Sequence, residues 1–263
     1  MFCNQCQETL RNSGCNIAKG MCGKTAETAH LQDLLLYICK GIGYWANNAR
    51  AVGYFSEDDA FFVTRMLFAT ITNANFAPSD FERWIAEALK RRDRIRQESS
   101  ERGGNVEAKA PDAATWNAVD LAGIRAAAAQ DMGGLLEIAD DDIRALKALV
   151  LYGLKGMAAY LEHAYVLGVS SKEVFEFMFS ALAKLADDAI GKEALIQLVL
   201  DTGKYGVEAM ELLDKANTGS YGSPRITKVS TGVRNRPGIL ISGHDLRDLH
   251  DLLEQTKGTG IDV

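Results

Sequence analysis

Four of the chain's five cysteines fall within its first twenty-two residues, at Cys3, Cys6, Cys15 and Cys22, with the spacing C-x2-C-x8-C-x6-C. No other feature restricts the fold so strongly. Thiolates this close in sequence can converge on one centre, and in a reducing compartment a metal or cluster is the reason to bring them together. Iron–sulfur clusters are commonly held by four cysteines with a close C-x2-C pair among them. Gly14, Ala18, Gly20 and Gly23 allow tight turns and bring backbone N–H groups near the sulfurs. Tetrahedral zinc also takes four cysteines, but zinc ribbons usually show two C-x2-C knuckles, and the x6 spacing of Cys15 and Cys22 is a poor knuckle. The chain opens on Met1-Phe2-Cys3 with no basic and apolar leader, so a cytoplasmic setting is expected, where disulfides rarely persist. Iron–sulfur and zinc both stay open on the pattern alone, with iron–sulfur the better match. Cys39 lies in an apolar helical run and reads as a small buried hydrophobe.

The rest of the chain reads as helix. No proline occurs before Pro78, which permits long uninterrupted helices. Thr25 caps an expected helix running to about Val52, whose apolar positions Leu31, Leu34, Leu35, Ile38, Ile42, Trp45 and Ala49 trace one face. Ser56 opens a second helix, and Ser79 with Glu82 forms a capping-box pattern for a third. Residues 97–116 turn polar around a Gly-Gly pair and a proline, as a surface connection would. A shorter helix follows near Leu121–Gln130, then a second long one from behind Asp140 to Gly168. Aligning Leu31–Gly53 with Leu146–Gly168 at an offset of 115 gives eight identities in 23 positions, including Tyr37/Tyr152, Lys40/Lys155 and Gly41/Gly156. That predicts an internal duplication, with the paired glycines allowing close helix approach. Helices near 171–187, behind a Ser170/Glu173 capping box, and near 192–216 complete the second set.

After Asn217 the character changes. NTGSYGSP is a turn cluster and RITKVSTGV is strand-like. PGILISGHDLRDLHDLLEQTKGTGIDV then predicts a strand at 238–242, a tight turn at Gly243–His244, a helix at 245–255 and the start of another strand. In an α/β unit functional groups lie just beyond a strand's C-terminal end, which is where His244 falls, as either a turn residue or a ligand. The expected fold class is therefore mainly α: two three-helix bundles followed by the beginning of an α/β (Rossmann-like) domain. Its divisions are a cysteine segment at 1–24, bundles at 25–100 and 140–217, a connection at 101–139, and the α/β start at 218–263. One such unit leaves Ile239 and Ile241 without a full sheet, so residues 226–263 are expected to be mobile or to pair with another copy. The net charge of −6 argues against a broad nucleic-acid footprint, and no apolar run approaches a membrane span. Neither a P-loop nor a dinucleotide glycine motif occurs.

The segments MFCNQCQETL, GMCGKTAETAHLQDLLLY, FATITNANF, YGSPRITKVSTGV and PGILISGHDLRDL together resemble the hybrid cluster protein family, also called prismane proteins or hydroxylamine reductases. The resemblance runs from Met1 to Val263. It implies that Cys3, Cys6, Cys15 and Cys22 bind a 4Fe–4S cubane that relays electrons inward. It also implies that His244 is an iron ligand of a second, hybrid 4Fe–2O–2S cluster, at which hydroxylamine is reduced to ammonia and water and nitric oxide is a further substrate. A ferredoxin or an NADH-dependent reductase is the implied electron donor. His30, His163 and His250 are expected in helices, without a metal role. The basic run Lys90, Arg91, Arg92, Arg94 and Arg96 is expected to be a solvated face, or else a docking patch for such a donor.

This chain departs from the family in two ways. The family's pattern usually leaves one residue fewer between its third and fourth cysteines, and another branch with longer spacing carries a 2Fe–2S cluster. The family's other hybrid-cluster ligands, glutamates and further cysteines, have no counterpart in these residues. The chain alone is thus expected not to turn over hydroxylamine. A self-standing electron-transfer or redox-sensing module and a zinc-stabilised helical interaction protein are the alternatives.

Overall fold

The computed structural model describes residues 1–6, 13–71, 74–105 and 109–263. The stretch 7–12 of the cysteine segment and Thr72-Asn73 of FATITNANF lie outside them. The described chain is mainly helical, with isolated β-bridges and no sheet. Its helices are α1 (Ala26–Ala51), α2 (Glu57–Ala69), α3 (Pro78–Glu101), the short α4 (Asp112–Thr115), α5 (Leu121–Ala129), α6 (Asp141–Val166), α7 (Lys172–Leu185), α8 (Lys192–Tyr221) and α9 (Leu246–Thr256).

Local chemistry starts most of these helices where the sequence indicates. The hydroxyls of Thr25 and Ser56 and the carboxylates of Asp120 and Asp140 each accept from a backbone N–H in the first turn. Two starts differ by one or two residues. Helix α3 begins at Pro78, whose missing N–H costs nothing at a helix start, so Ser79 lies inside the first turn and caps nothing. Glu82 turns instead to Arg125 on α5, accepting at 2.5 and 3.0 Å. Helix α7 is capped by Ser171, while Ser170 donates to Glu57 on α2 at 2.6 Å. Helix α8 also runs through Asn217–Ser220, read from the sequence as a turn, and stops at Gly222, whose φ of +82° breaks it.

Helix α1 packs mainly on α3 and α7, and α6 mainly on α8 and α2. Replacing α1, α2 and α3 by α6, α7 and α8 maps this pattern onto itself. The middle helix of each sequence triplet leans on the long helix of the other triplet. Arg50 on α1 lies 3.8 Å from Glu176 on α7, and Arg65 on α2 lies 3.9 Å from Glu162 on α6. The principal core gathers Leu34, Ile38, Cys39 and Ile42 of α1, Val150, Leu154 and Ala158 of α6, and partners from α2, α3, α7 and α8.

The repeated glycines diverge. A Cβ on Gly41 would fall 2.0 Å from the carbonyl oxygen of Ala113, so α4 lies directly on α1 there. Gly156 is exposed and an added Cβ meets nothing, so the expected close approach holds for only one of the pair. The polar 97–116 stretch is correspondingly more than a surface connection. It is helical to Glu101, and Ala113 and Ala114 are buried. Buried Arg92 donates to the carbonyls of Ala113 and Trp116, and Trp45 Nε1 donates to Ala114 O at 2.8 Å.

Beyond α8 the backbone is extended and exposed, and the strand expected over 225–233 does not form. A lone strand with no neighbour leaves its hydrogen-bonding groups to water. One parallel bridge joins Gly238 to Asp262, with Ile239 N donating to Asp262 O at 2.8 Å and Asp262 N to Pro237 O at 2.9 Å. Helix α9 lies between the bridged segments and buries no residue, leaving Leu246 and Leu253 exposed beside Ile239 and Ile241.

Candidate metal centre

The cysteine loop closes on itself through its backbone. Cys3 N donates to Cys15 O at 3.0 Å and Cys15 N to Cys3 O at 2.8 Å, an exchange that sets the two side chains on one face of an antiparallel pair. Both are buried, and with Ala29 they form a small core of their own. Gly14 carries a φ of +81°, and the Phe2 ring occupies the place a Cβ would need. Cys22 lies on the following turn, where Gly23 N donates to Gly20 O at 2.8 Å and Gly20 N to Lys24 O at 2.8 Å. Cys6 and Cys22 are half-buried.

All four thiols are free. As placed, the described residues bring no three His, Cys, Asp or Glu side chains to metal-holding positions. Closing four thiolates on one point without a cation would stack negative charge in a poorly solvated loop, so ligand convergence is coupled to metal binding. Burial already pushes the Cys3 thiol up, against a backbone hydrogen bond involving Gln5 and the charge of Lys24. The donor set fits a cysteine-ligated metal or cluster in number and kind: four reduced sulfurs on one loop, two of them side by side, with cations behind them.

Those cations and their partners escaped the sequence reading. Lys24, 2% exposed, donates to Gln32 Oε1 at 2.5 Å. Lys155 of α6, 3% exposed, donates to the backbone oxygen of Gln5 at 3.3 Å and to its side-chain oxygen. Gln5 Nε2 in turn donates to Asp33 Oδ1 of α1 at 2.5 Å. Tyr152 OH donates to the carbonyl of Asn4. The peptide oxygens of both residues between Cys3 and Cys6 are therefore held by side chains one turn apart on α6. Burial pushes the Asp33 carboxyl up to about 7, helped by Asp131, and pushes the Lys155 ammonium down to about 7 against the pull of Asp33. One sequence signal pointed here: lysine at a position of α6 flanked by Leu154, Met157 and Ala158, all buried.

The repeat identities also acquire a location. Leu36, Tyr37 and Lys40 of α1 and their counterparts Leu151, Tyr152 and Lys155 of α6 line one cavity of about 550 Å³, which reaches Asn4 and Gln5. The two copies are used differently: Tyr37 OH donates to Asp112 at 2.5 Å, away from the cysteine loop.

Cys39 is fully buried in the principal core, and burial pushes its thiol up to about 12. Its counterpart in the repeat is the equally buried Leu154. His244 is exposed at the start of α9, its ring centroid 5.7 Å from that of His163. His163 Nδ1 is buried, lying 3.2 Å from Asp245 Oδ2 and 3.6 Å from Glu162 Oε2 without hydrogen-bond alignment. His250 is exposed and His30 half-buried. The basic run on α3 is not a solvated face throughout. Arg92 is buried, and Arg91 bonds Asp58, Asp59 and Glu87, while Arg94 bonds Asp59. Carboxylates on α2 and α3 pair with Arg91, Arg92 and Arg94, while Lys90 and Arg96 are exposed.

The described structure is a mainly helical scaffold with a loop that carries four free cysteines and is anchored by the buried lysines Lys24 and Lys155. The chain belongs to the Prismane/CO dehydrogenase family, whose model matches residues 1–263, and membership implies iron–sulfur chemistry in general. Among its relatives are proteins named hydroxylamine reductase from Desulfitobacterium hafniense (strain DSM 10664 / DCB-2), 53% identical over 263 residues, and Bacteroides thetaiotaomicron, 51% identical over 263 residues. Each match covers 100% of this chain and 47% of the relative. A hydroxylamine reductase of Caldanaerobacter subterraneus is 52% identical over 264 residues, covering 100% of this chain and 48% of that protein. The chain thus spans about half the length of the curated relatives it matches. Among the described residues no helix is long and apolar enough to cross a membrane.

Proposed function

We propose that this chain is the electron-relay portion of a hydroxylamine reductase, with Cys3, Cys6, Cys15 and Cys22 as ligands of a 4Fe–4S cluster. The observation that carries the reading is the four-cysteine loop of free thiols, within a chain about half identical along its whole length to proteins named hydroxylamine reductase. Such a cluster supplies one-electron transfer when bound. The chain's own residues do the rest: the Cys3–Cys15 backbone pair sets two donors side by side, and Tyr152 and Lys155 hold the knuckle between Cys3 and Cys6. Burial of Cys3 and Cys15 keeps water from that side of the loop.

His244 is read as a ligand of the second, hybrid cluster, whose remaining ligands this chain does not supply. Hydroxylamine is the proposed substrate and nitric oxide a further one, with a ferredoxin or NADH-dependent reductase as donor in the cytoplasm. The helical part is read as two related three-helix units, 25–100 and 140–217, that exchange their middle helices. Residues 218–263 are read as the opening of an α/β domain, supported by the parallel bridge that joins Gly238 to Asp262 across α9 in the sequence.

Anaerobic purification tests the reading. The protein should be brown and contain iron and acid-labile sulfide, both lost in Cys22→Ala. Reduced viologen should drive hydroxylamine consumption in a protein of the relatives' length and not in residues 1–263 alone. Stoichiometric zinc without iron, from cells with ample iron and cluster-assembly capacity, would refute it.

A further inference from the structure

We infer that Lys155 is a positioning residue that fastens the Cys3–Cys6 knuckle to α6 and, through its charge, raises the potential at which the cysteine site accepts an electron. The inference rests on the reading of Cys3, Cys6, Cys15 and Cys22 as ligands. Lys155 is 3% exposed and spends its hydrogen bonds on the backbone and side-chain oxygens of Gln5. Gln5 is itself 4% exposed, with its amide nitrogen engaged by Asp33 at 2.5 Å. Tyr152, one turn earlier on α6, takes the Asn4 carbonyl.

A neutral donor would serve to tie down a carbonyl. Burying an ammonium is far more expensive than burying an amide, and it is tolerated where negative charge faces it. The groups facing Lys155 are Asp33, Cys3 and Cys6, with Lys24 as the opposing cation. Four thiolates would add negative charge on the same side. Each electron entering the site adds one more, and no bond forms or breaks. The ammonium form of Lys155 therefore stabilises the reduced state more than the oxidised one, and the effect is strongest where water is excluded.

The repeat supplies an internal control. Lys40 is the counterpart of Lys155 and lines the same cavity. Its charged neighbours are Lys147, Asp33, Asp188 and Glu137, with no cysteine among those that act on it most. No hydrogen bond ties Lys40 to the loop among the described residues.

The test is a potentiometric titration of anaerobically loaded protein with a viologen mediator as the one-electron donor, read by visible absorbance and electron paramagnetic resonance. Lys155→Met and Lys155→Gln should both shift the midpoint to more negative values at equal iron content. Lys155→Arg should return it towards wild type, and Lys40→Met should leave it in place. The Gln variant keeps a donor for the Gln5 carbonyl, so it separates charge from tether and carries the comparison if the Met variant loses helical content. A loaded wild type with unshifted Met and Gln variants overturns this inference and leaves the ligand assignment standing. A shift in Met alone overturns the charge argument. A wild type that takes up no iron overturns the ligand assignment and this inference together.

Discussion

Gly41 and Gly156 occupy the same position of the repeat, yet alanine there should act in opposite directions. On α1, the new Cβ would lie 2.0 Å from Ala113 O, 2.6 Å from Ala113 C and 3.0 Å from Ala114 Cα, all backbone atoms. No rotamer can relieve that, so α4 must move away by more than about 1 Å, and overpacking of this kind costs about 1–3 kcal/mol. The shift also pulls Ala114 O from Trp45 Nε1, now 2.8 Å away in the core. Leaving a buried donor without its acceptor costs about 1–3 kcal/mol more. The intrinsic gain of alanine over glycine in a helix interior returns about 1 kcal/mol. Gly41→Ala should therefore lose about 3 kcal/mol. On α6, an added Cβ at the exposed Gly156 meets nothing within 4 Å, so only the helix-propensity gain of up to about 1 kcal/mol remains. Urea unfolding followed by far-ultraviolet circular dichroism reads both. A Gly41→Ala protein as stable as wild type, or a Gly156→Ala protein equally destabilised, would refute the packing argument.

Cys39→Ala should retain full iron content at a cost of about 1 kcal/mol, whereas Cys6→Ala should lose iron from a folded protein; iron and sulfide analysis beside circular dichroism decides it. With its thiol pushed up to about 12, Cys39 should resist an aromatic disulfide reagent at pH 8 until the protein is unfolded, and reaction of the folded chain at Cys39 would contradict its burial. Arg92→Ala removes donors from the carbonyls of Ala113 and Trp116 and opens a hole, and should cost about 2–4 kcal/mol, against less than about 0.5 kcal/mol for exposed Lys90→Ala in the same denaturation assay. The Arg125 hydrogen bond holds the Glu82 carboxyl below its ordinary value of 4.5, so the stabilisation is present above that value and lost as pH falls through the depressed one. Glu82→Gln should thus be less stable than wild type at pH 7 and converge on it as the pH falls through the depressed value; a gap that does not narrow would assign the effect elsewhere.

Helix existence was largely legible because it depends on local features. Periodic apolar residues, Thr25, Ser56 and Asp140 as caps, and glycines after α1 and α6 act within one or two turns of where they stand. The errors were local competitions decided by a distant partner. Glu82 could close a capping box or meet Arg125, and a two-pronged guanidinium contact is the stronger offer. Ser170 could cap α7 or bond Glu57, and Ser171 next to it freed it for the latter. Asn217–Ser220 has turn composition, yet Thr218 Oγ1 returns to Asp214 O at 2.7 Å and the helix continues to Tyr221.

The sequence by itself determined which chemistry is available. Four thiols on one glycine-punctuated loop and a repeated helix motif are properties of order and spacing, independent of how the chain closes. Only the tertiary structure decided what surrounds them. The repeat identities Tyr37/Tyr152 and Lys40/Lys155 look equivalent in one dimension, but the cysteine loop, which touches both helices, turns its Asn4 and Gln5 carbonyls to α6 alone. Tyr152 and Lys155 thereby acquire the Asn4 and Gln5 carbonyls, from about 150 residues away along the chain, while Tyr37 turns to Asp112. Likewise α4 lies on Gly41, and nothing lies over Gly156. A duplicated sequence specifies two similar helices; a single unduplicated loop, docked on them in different ways, breaks their equivalence, because burial and hydrogen bonding depend on what is near in space.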